Sequence, residues 1–279
     1  MYPVILPDSS DHSIAQLAHL GFMRFAPAPA LRPWIQCYWR VYRVQLPEGG
    51  LHENLYPDGG TSLTFDLPVT TTDIPARSGA FNAQQQINQI NFRNSFHCLG
   101  IRFHPGGAFQ LLGLDLGSMT GKEFDLDLLG SSYVHLQDQL RTTFQVQQQI
   151  TLLDKWLLDA ANQQQARQGI IQRLLPLLQR DTADIAQLSE RAALSRRQLE
   201  RRFQLEVGLS PKQLHLLHRI KQARQLISRA PQMSLTDVSL MTGFYDQAHF
   251  IRQFHKVTQQ TPGQYRARKM SQKYNTKDV

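Results

Sequence analysis

The 279-residue chain has only two cysteines, Cys37 and Cys98, too few for a disulfide framework or a four-ligand zinc site. No apolar run reaches the roughly 18 residues that cross a bilayer, so no membrane partner is expected. The start, MYPVILPDSSDHS, lacks the basic opening and long apolar stretch of a secretory leader. A reducing cytoplasm is the expected location. Also missing are a nucleophile elbow, a phosphate-binding glycine loop and a zinc-protease motif. His52, His97 and His104 fall in or beside strand-like segments, but without a His-x-His pair or a following Glu at ligand distance. A strand-borne metal centre is therefore not expected. The two cysteines read as buried and inert. No catalytic residue, metal or cofactor is expected, and the chain reads as a non-enzyme.

What the chain does have is an uneven charge. Residues 1–163 hold 10 Lys and Arg against 14 Asp and Glu, a net of −4. Residues 164–279 hold 20 against 8, a net of +12, which together give the overall +8. A basic segment joined to an acidic one points to a polyanion-binding module attached to something else. Glutamine clusters, Gln145 to Gln149 and Gln163 to Gln168, flank the apolar segment Ile150–Leu158, and the polar residues Asn162 to Gln168 make the better boundary. The expected units are thus residues 1–163 and a basic, polyanion-binding unit over 164–279.

In the first unit, Trp34 to Tyr42 is rich in aromatic and β-branched residues, as strands are. Tyr56-Pro57-Asp58-Gly59-Gly60 has turn chemistry, Thr61 to Leu67 alternates as a strand, and Phe96 to Phe103 reads as another. From Gly130 onward the apolar period becomes helical, through Tyr133, Leu136 and Leu140 and then Ile150, Leu153 and Leu157. The expected fold is α+β: a β-barrel or β-sandwich-like domain with C-terminal helices, followed by an all-α unit. The Ile150–Leu158 face can pack on its own sheet or serve as a homodimer seam.

The second unit contains an internal repeat. Its first copy runs from Asp184 to Leu214 and its second from Ser234 to Tyr265. Leu199 and Phe203 match Phe250 and Phe254 at an offset of 51, as Ser210-Pro211 matches Thr261-Pro262. Upstream, Leu188 pairs with Val238 and Ala193 with Gly243 at an offset of 50, so the turn differs by one residue. Each copy reads as helix, turn, helix, giving motifs over 184–207 and 235–257. Ile185, Leu188 and Ala192 line the first helix of copy one; Leu235, Val238 and Met241 line that of copy two. Ser195 and Asp246 cap the second helices. Helix 210–228 joins the motifs, starting with Ser-Pro and striped by Leu214, Leu217, Ile220 and Ala223.

At about 100° per residue, Arg197, Arg201 and Gln204 lie opposite Leu199 and Phe203, with Glu200 beside them. Ala248, Arg252 and His255 lie opposite Phe250 and Phe254, with Gln247 at the helix start. Arg196 and Lys212, at the starts of their helices, complete the candidate DNA-binding set. Arginine reads guanine edges and glutamine adenine, and a helix-turn-helix presents the start of its second helix to bases. A 19-residue connector is roughly 28 Å long, close to the ~34 Å repeat of major grooves on one side of DNA.

GFYDQAHFIRQFHKVTQQTPGQYR, residues 243–266, resembles the C-terminal signature of the AraC/XylS transcription regulators, and the resemblance extends over about 167–268. It implies a bacterial seven-helix domain with two helix-turn-helix motifs, in which Arg197, Glu200 and Arg201 serve the first recognition helix and Gln247, Ala248 and Arg252 the second. Ala193 stands where the first turn usually has Gly, and Ala248 where Ser is common. LRPWIQCYWRV, LYPDGGTSLTF and LGIRFHPGGAF resemble the cupin-like accessory domain that precedes such motifs in one subgroup. The partners implied are double-stranded promoter DNA, a small-molecule effector or a second copy at residues 1–163, and RNA polymerase in the case of an activator.

Overall fold

The computed structural model describes residues 17–69, 79–81, 88–119, 129–163, 169–178 and 185–275. Strands β1 (Met23–Phe25), β2 (Ile35–Arg43), β4 (Thr61–Asp66), β5 (Gly79–Phe81) and β7 (Phe96–Phe103) form one antiparallel sheet in the order β1-β2-β7-β4-β5. Strands β3 (Leu51–Leu55) and β6 (Asn88–Phe92) pair separately as a ribbon. The expected β-rich domain is present, and its main sheet is open, with no closed barrel among the described residues.

Strand alternation gives the main sheet two chemically different faces. Tyr38 pairs with Ile101 and Ile101 with Leu63, while Leu99 pairs with Phe65. All five are fully buried in one apolar cluster with helices α1 (Gly107–Leu112), α2 (Ser131–Thr142) and α3 (Val146–Gln163). The opposite face carries Cys37, Trp39, Ser62, Thr64, Gly100 and Arg102. There the Trp39 indole lies directly on Gly100: a Cβ at that position would sit 2.1 Å from the ring. Cys37 and Cys98 are not disulfide-bonded, and burial pushes both thiols up, disfavouring the reactive thiolate.

Helix α3 is tied to the sheet by polar contacts as well. The Asp154 carboxylate accepts from the Tyr38 hydroxyl at 2.5 Å and from the Ala28 amide at 3.0 Å. Ile150, Leu153 and Leu157 are fully buried in the same core. Of the two roles open to the Ile150–Leu158 face, the fold uses it for its own packing.

The remaining helices are α4 (Ile171–Leu178), α5 (Ile185–Ala192), α6 (Arg196–Val207), α7 (Pro211–Arg229), α8 (Leu235–Met241), α9 (Gln247–Thr258) and α10 (Pro262–Asn275). They share a second apolar cluster containing Leu174, Leu188, Leu199, Phe203, Leu217, Ile220, Val238, Phe250 and Phe254. The two clusters meet the chain on either side of residues 164–168, which lie outside the described residues, as does Asp184.

Candidate nucleic-acid interface

Helices α5–α6 and α8–α9 are the two copies of the repeat, and their local chemistry matches almost position by position. Ser195 caps α6 with a full capping box: its hydroxyl accepts from the Gln198 amide, and Gln198 accepts from the Ser195 amide. Asp246 caps α9 by accepting from the His249 amide at 2.6 Å. Ser210 and Thr261 start α7 and α10, and each exchanges hydrogen bonds with the glutamine three residues later, Gln213 and Gln264. Gly208 and Gln259 end α6 and α9 in the left-handed region. These repeated caps fix where each recognition helix begins and ends, so the residues 51 apart occupy equivalent places.

Leu199 and Phe203 on α6, and Phe250 and Phe254 on α9, are fully buried. Burying each contributes about 1.5–3 kcal/mol, which fixes which side of each helix faces out. All ten candidate residues are on the exposed side: Arg196, Arg197, Glu200, Arg201, Gln204 and Lys212 around the first motif, Gln247, Ala248, Arg252 and His255 on the second. Arg196 and Glu200 pair with each other at 3.2 Å along the helix. Arg197, Arg201 and Arg252 have no ion-pair partner among the described residues. Gln247 accepts from the Thr236 hydroxyl at 2.9 Å, which steadies it at the mouth of α9. The connector α7 is one helix of 19 residues, one position later than expected, with Leu214, Leu217, Ile220, Ala223 and Ile227 buried.

One expected core residue is not in the core. Met241 is 57% exposed, whereas Val238 is fully buried. Helix α8 stops at Met241, and the C-cap Thr242 turns inward instead, its hydroxyl donating to the Val238 carbonyl at 2.7 Å. The stripe ends because the helix does. Ile185, Ala192 and Leu235 are half-buried rather than fully buried.

The turns differ as the offset change requires. Ala193 (φ +52) and Gly243 (φ +73) hold equivalent left-handed positions. The next amides, of Leu194 and Phe244, donate to the Ser189 and Ser239 carbonyls, both at 3.0 Å. The extra residue of the second copy is therefore Tyr245, between Phe244 and the cap Asp246. Sequence reasoning passed over it, although the one-residue slip was the signal that located it.

It also missed what holds the two motifs against the rest of the chain. The turn Tyr56–Gly60 docks on the connector and on α10. Asp58 bridges Arg102 of β7 and Lys221 of α7, the latter at 3.2 Å. The Arg224 guanidinium lies 3.6 Å from the Tyr56 ring centroid, the Tyr265 ring meets Tyr56 edge-on, and Arg268 donates to the Tyr56 hydroxyl. Burial would raise the Asp58 carboxyl, but Arg102 and Lys221 outweigh it and hold the group well below the usual carboxylate range. Lys269, crowded by burial and by Arg268 and Arg224, is pushed down to about 8. A second seam reaches α6 itself: the Leu116 amide donates to the Leu205 carbonyl at 3.0 Å, and the buried Glu206 carboxylate accepts from the Ile170 and Ile171 amides.

Residues 188–268 match a family described as a helix-turn-helix domain, and residues 23–125 match a domain of unknown function (DUF6597). With this geometry, residues 188–268 are a helix-turn-helix domain that carries the motif twice. The chain is 36% identical over 86 residues to the HTH-type transcriptional regulator MtrA of Neisseria gonorrhoeae, covering 31% of this chain and 28% of that protein. It is 37% identical over 81 residues to the HTH-type transcriptional regulator CdhR of Pseudomonas aeruginosa, covering 29% and 24%. The chain thus spans about a quarter to a third of the curated relatives it matches. Among solved structures, ToxT from Vibrio cholerae aligns over 84% of this chain and 92% of its own, at 9% identity and a TM-score of 0.36.

Proposed function

We propose that this protein is a bacterial transcription regulator that sets α6 and α9 into successive major grooves of promoter DNA. The observation that carries this reading is the equivalence of the two helices: Arg201 and Arg252 stand 51 residues apart at the same exposed place on each, across a single connector helix. Arg201 and Arg252 read guanine edges, Gln247 reads adenine and Glu200 cytosine. Arg196, Arg197, Gln204, Lys212 and His255 bond phosphates and set the register. Ala248 offers only its methyl, an apolar contact suited to thymine.

Residues 1–163 form the regulatory unit and residues 164–279 the DNA-binding unit, a division supported by the two separate apolar clusters. The first unit modulates DNA binding through a small effector or a second copy. Promoter DNA is engaged in the cytoplasm, near RNA polymerase where transcription is activated. The seams through Asp58, Tyr56 and the Leu116–Leu205 bond are the routes by which a change in the first unit reaches the motifs.

The test is selection of bound duplexes from a random pool with the full chain, followed by titration of Arg201→Ala and Arg252→Ala. Each variant loses about 1–3 kcal/mol and relaxes base preference in one half-site only. Affinity falls steeply with salt because bound cations displace counterions. Wild-type binding by both variants would remove the assignment. Because the base-facing residues differ (Glu200 against Ile251, with Gln247 and Ala248 reading bases only in the second motif), the two half-sites differ in sequence, and recovery of two identical half-sites contradicts this.

A further inference from the structure

We propose that Tyr245 is a DNA-contacting residue peculiar to the second motif, its hydroxyl donating to a phosphate oxygen beside that half-site while its ring lies against the sugar. The inference rests on the DNA-binding reading above and adds a contact outside the recognition helices.

Tyr245 is the extra residue of the second turn, and the fold makes no use of its side chain. Phe244 before it is 2% exposed and packs edge-on and tilted against His249 and Phe250; Tyr245 is 92% exposed. It has no hydrogen-bond or ring partner among the described residues. An aromatic ring left in water forgoes the stabilisation that burial gives, so the whole ring and its hydroxyl are available to a group outside the chain.

Its position names the partner. Tyr245 immediately precedes the N-cap of α9, and a helix-turn-helix brings the start of its second helix into the groove. The residue just outside that start is carried along the groove edge, where the sugar-phosphate backbone runs. A tyrosine has an apolar body for the sugar and a hydroxyl tip for the phosphate.

Charge supplies an independent reason. The first motif enters DNA behind the neutral cap Ser195 with Arg196 and Arg197 next in line. The second enters behind the carboxylate of Asp246, followed by Gln247 and Ala248. At equivalent places it has two fewer cations and one more anion, so its entrance is poor in phosphate donors. Tyr245 provides a donor there without adding charge, and copy one, which has Arg196 and Arg197, has no equivalent residue.

The test uses the full chain and its selected duplex, comparing wild type, Tyr245→Phe, Tyr245→Ala and Arg252→Ala. Each is titrated on the intact site and on a probe whose second half-site is scrambled. On the intact site Tyr245→Ala weakens binding roughly five- to tenfold and Tyr245→Phe about two- to fourfold, in line with loss of one interfacial contact. On the scrambled probe both bind like wild type. Phosphate ethylation interference loses a position beside the second half-site in Tyr245→Phe. Since the side chain is exposed, urea midpoints are unchanged, which separates contact from folding. If Tyr245→Ala binds the intact site like wild type while Arg252→Ala is weakened, the proposal fails and the DNA-binding reading stands. If Tyr245→Ala keeps its full footprint but loses transcription in a purified system, the ring serves a protein partner, which also overturns the proposal. If Arg252→Ala and Arg201→Ala are both silent, the DNA-binding reading itself fails.

Discussion

Asp58→Asn is the most direct probe of how residues 1–163 are joined to the connector helix. The substitution preserves the size of the side chain, and its carbonyl oxygen can still accept the Gly60 amide bond made at 3.0 Å. What it removes is the negative charge on which Arg102 and Lys221 converge. The Asp58 side chain is 19% exposed, Arg102 22% and Lys221 36%. An exposed ion pair is worth about 0.2–1 kcal/mol, and removing one partner of a buried pair costs about 3–5 kcal/mol. These side chains lie between the limits and leave two cations facing each other, so the expected loss is about 2 kcal/mol. Lys221, the most exposed member, contributes the smaller share.

Urea unfolding of the full chain at pH 7 measures this, with Lys221→Met and the double variant closing a mutant cycle. The coupling between Asp58 and Lys221 should be about 0.5–1 kcal/mol. The pH dependence has a definite sign. Burial acts to raise the Asp58 carboxyl but its two cations lower it further, so its folded value lies below the unfolded value of about 3.9. A depressed carboxyl stabilises fully above its unfolded value and loses that stabilisation as pH falls toward its folded value. The gap between wild type and Asp58→Asn should therefore be flat from about pH 5 to 8 and shrink below about pH 4. A gap under about 0.5 kcal/mol at pH 7, or one that widens on acidification, refutes the bridging role.

Two backbone positions and one close approach offer simpler tests. Ala193 holds φ +52, so Ala193→Gly should raise stability by about 0.5–1 kcal/mol, while Gly243→Ala, at φ +73, should lower it by about 1 kcal/mol, both read by chemical unfolding. Equal effects of the same sign would contradict the equivalence of the two turns. Gly100→Ala places a methyl 2.1 Å from the Trp39 ring and should destabilise the sheet by about 1–3 kcal/mol, with a change in Trp fluorescence. An unchanged midpoint and spectrum would mean that the indole does not lie on that glycine.

The docked turn changes what DNA binding by the second unit means physically. Leu214, Lys221 and Arg224 of the connector and Tyr265 and Arg268 of α10 all meet residues 56–59. The connector α7 and helix α10 are therefore held from outside the helical unit as well as by their own apolar cluster. A perturbation at Tyr56 or Asp58 falls on contacts with α7 and α10 and touches none of the outward residues of α6 or α9.

The sequence by itself determined the parts whose physics is local. Apolar spacing of three and four residues set the buried faces of α6, α7 and α9, and Ser195, Ser210 and Asp246 marked their starts. The repeat then assigned Arg201 and Arg252 to equivalent outer positions. The strands around Tyr38, Thr64 and Ile101 were legible from alternation and turn chemistry for the same reason. Tertiary structure decided what depends on groups distant in the chain. Asp58 meets Lys221 across 163 positions and Tyr56 meets Arg268 across 212, separations over which no periodicity carries information. It also decided the choice left open for Ile150–Leu158, whose apolar face could not name its own partner. Met241 was misplaced because periodicity cannot tell where a helix stops, and only the inward turn of Thr242 does. Tyr245 stood in the sequence as a one-residue slip; only the packing of Phe244 beneath it left the ring in solvent at the entrance of the second recognition helix.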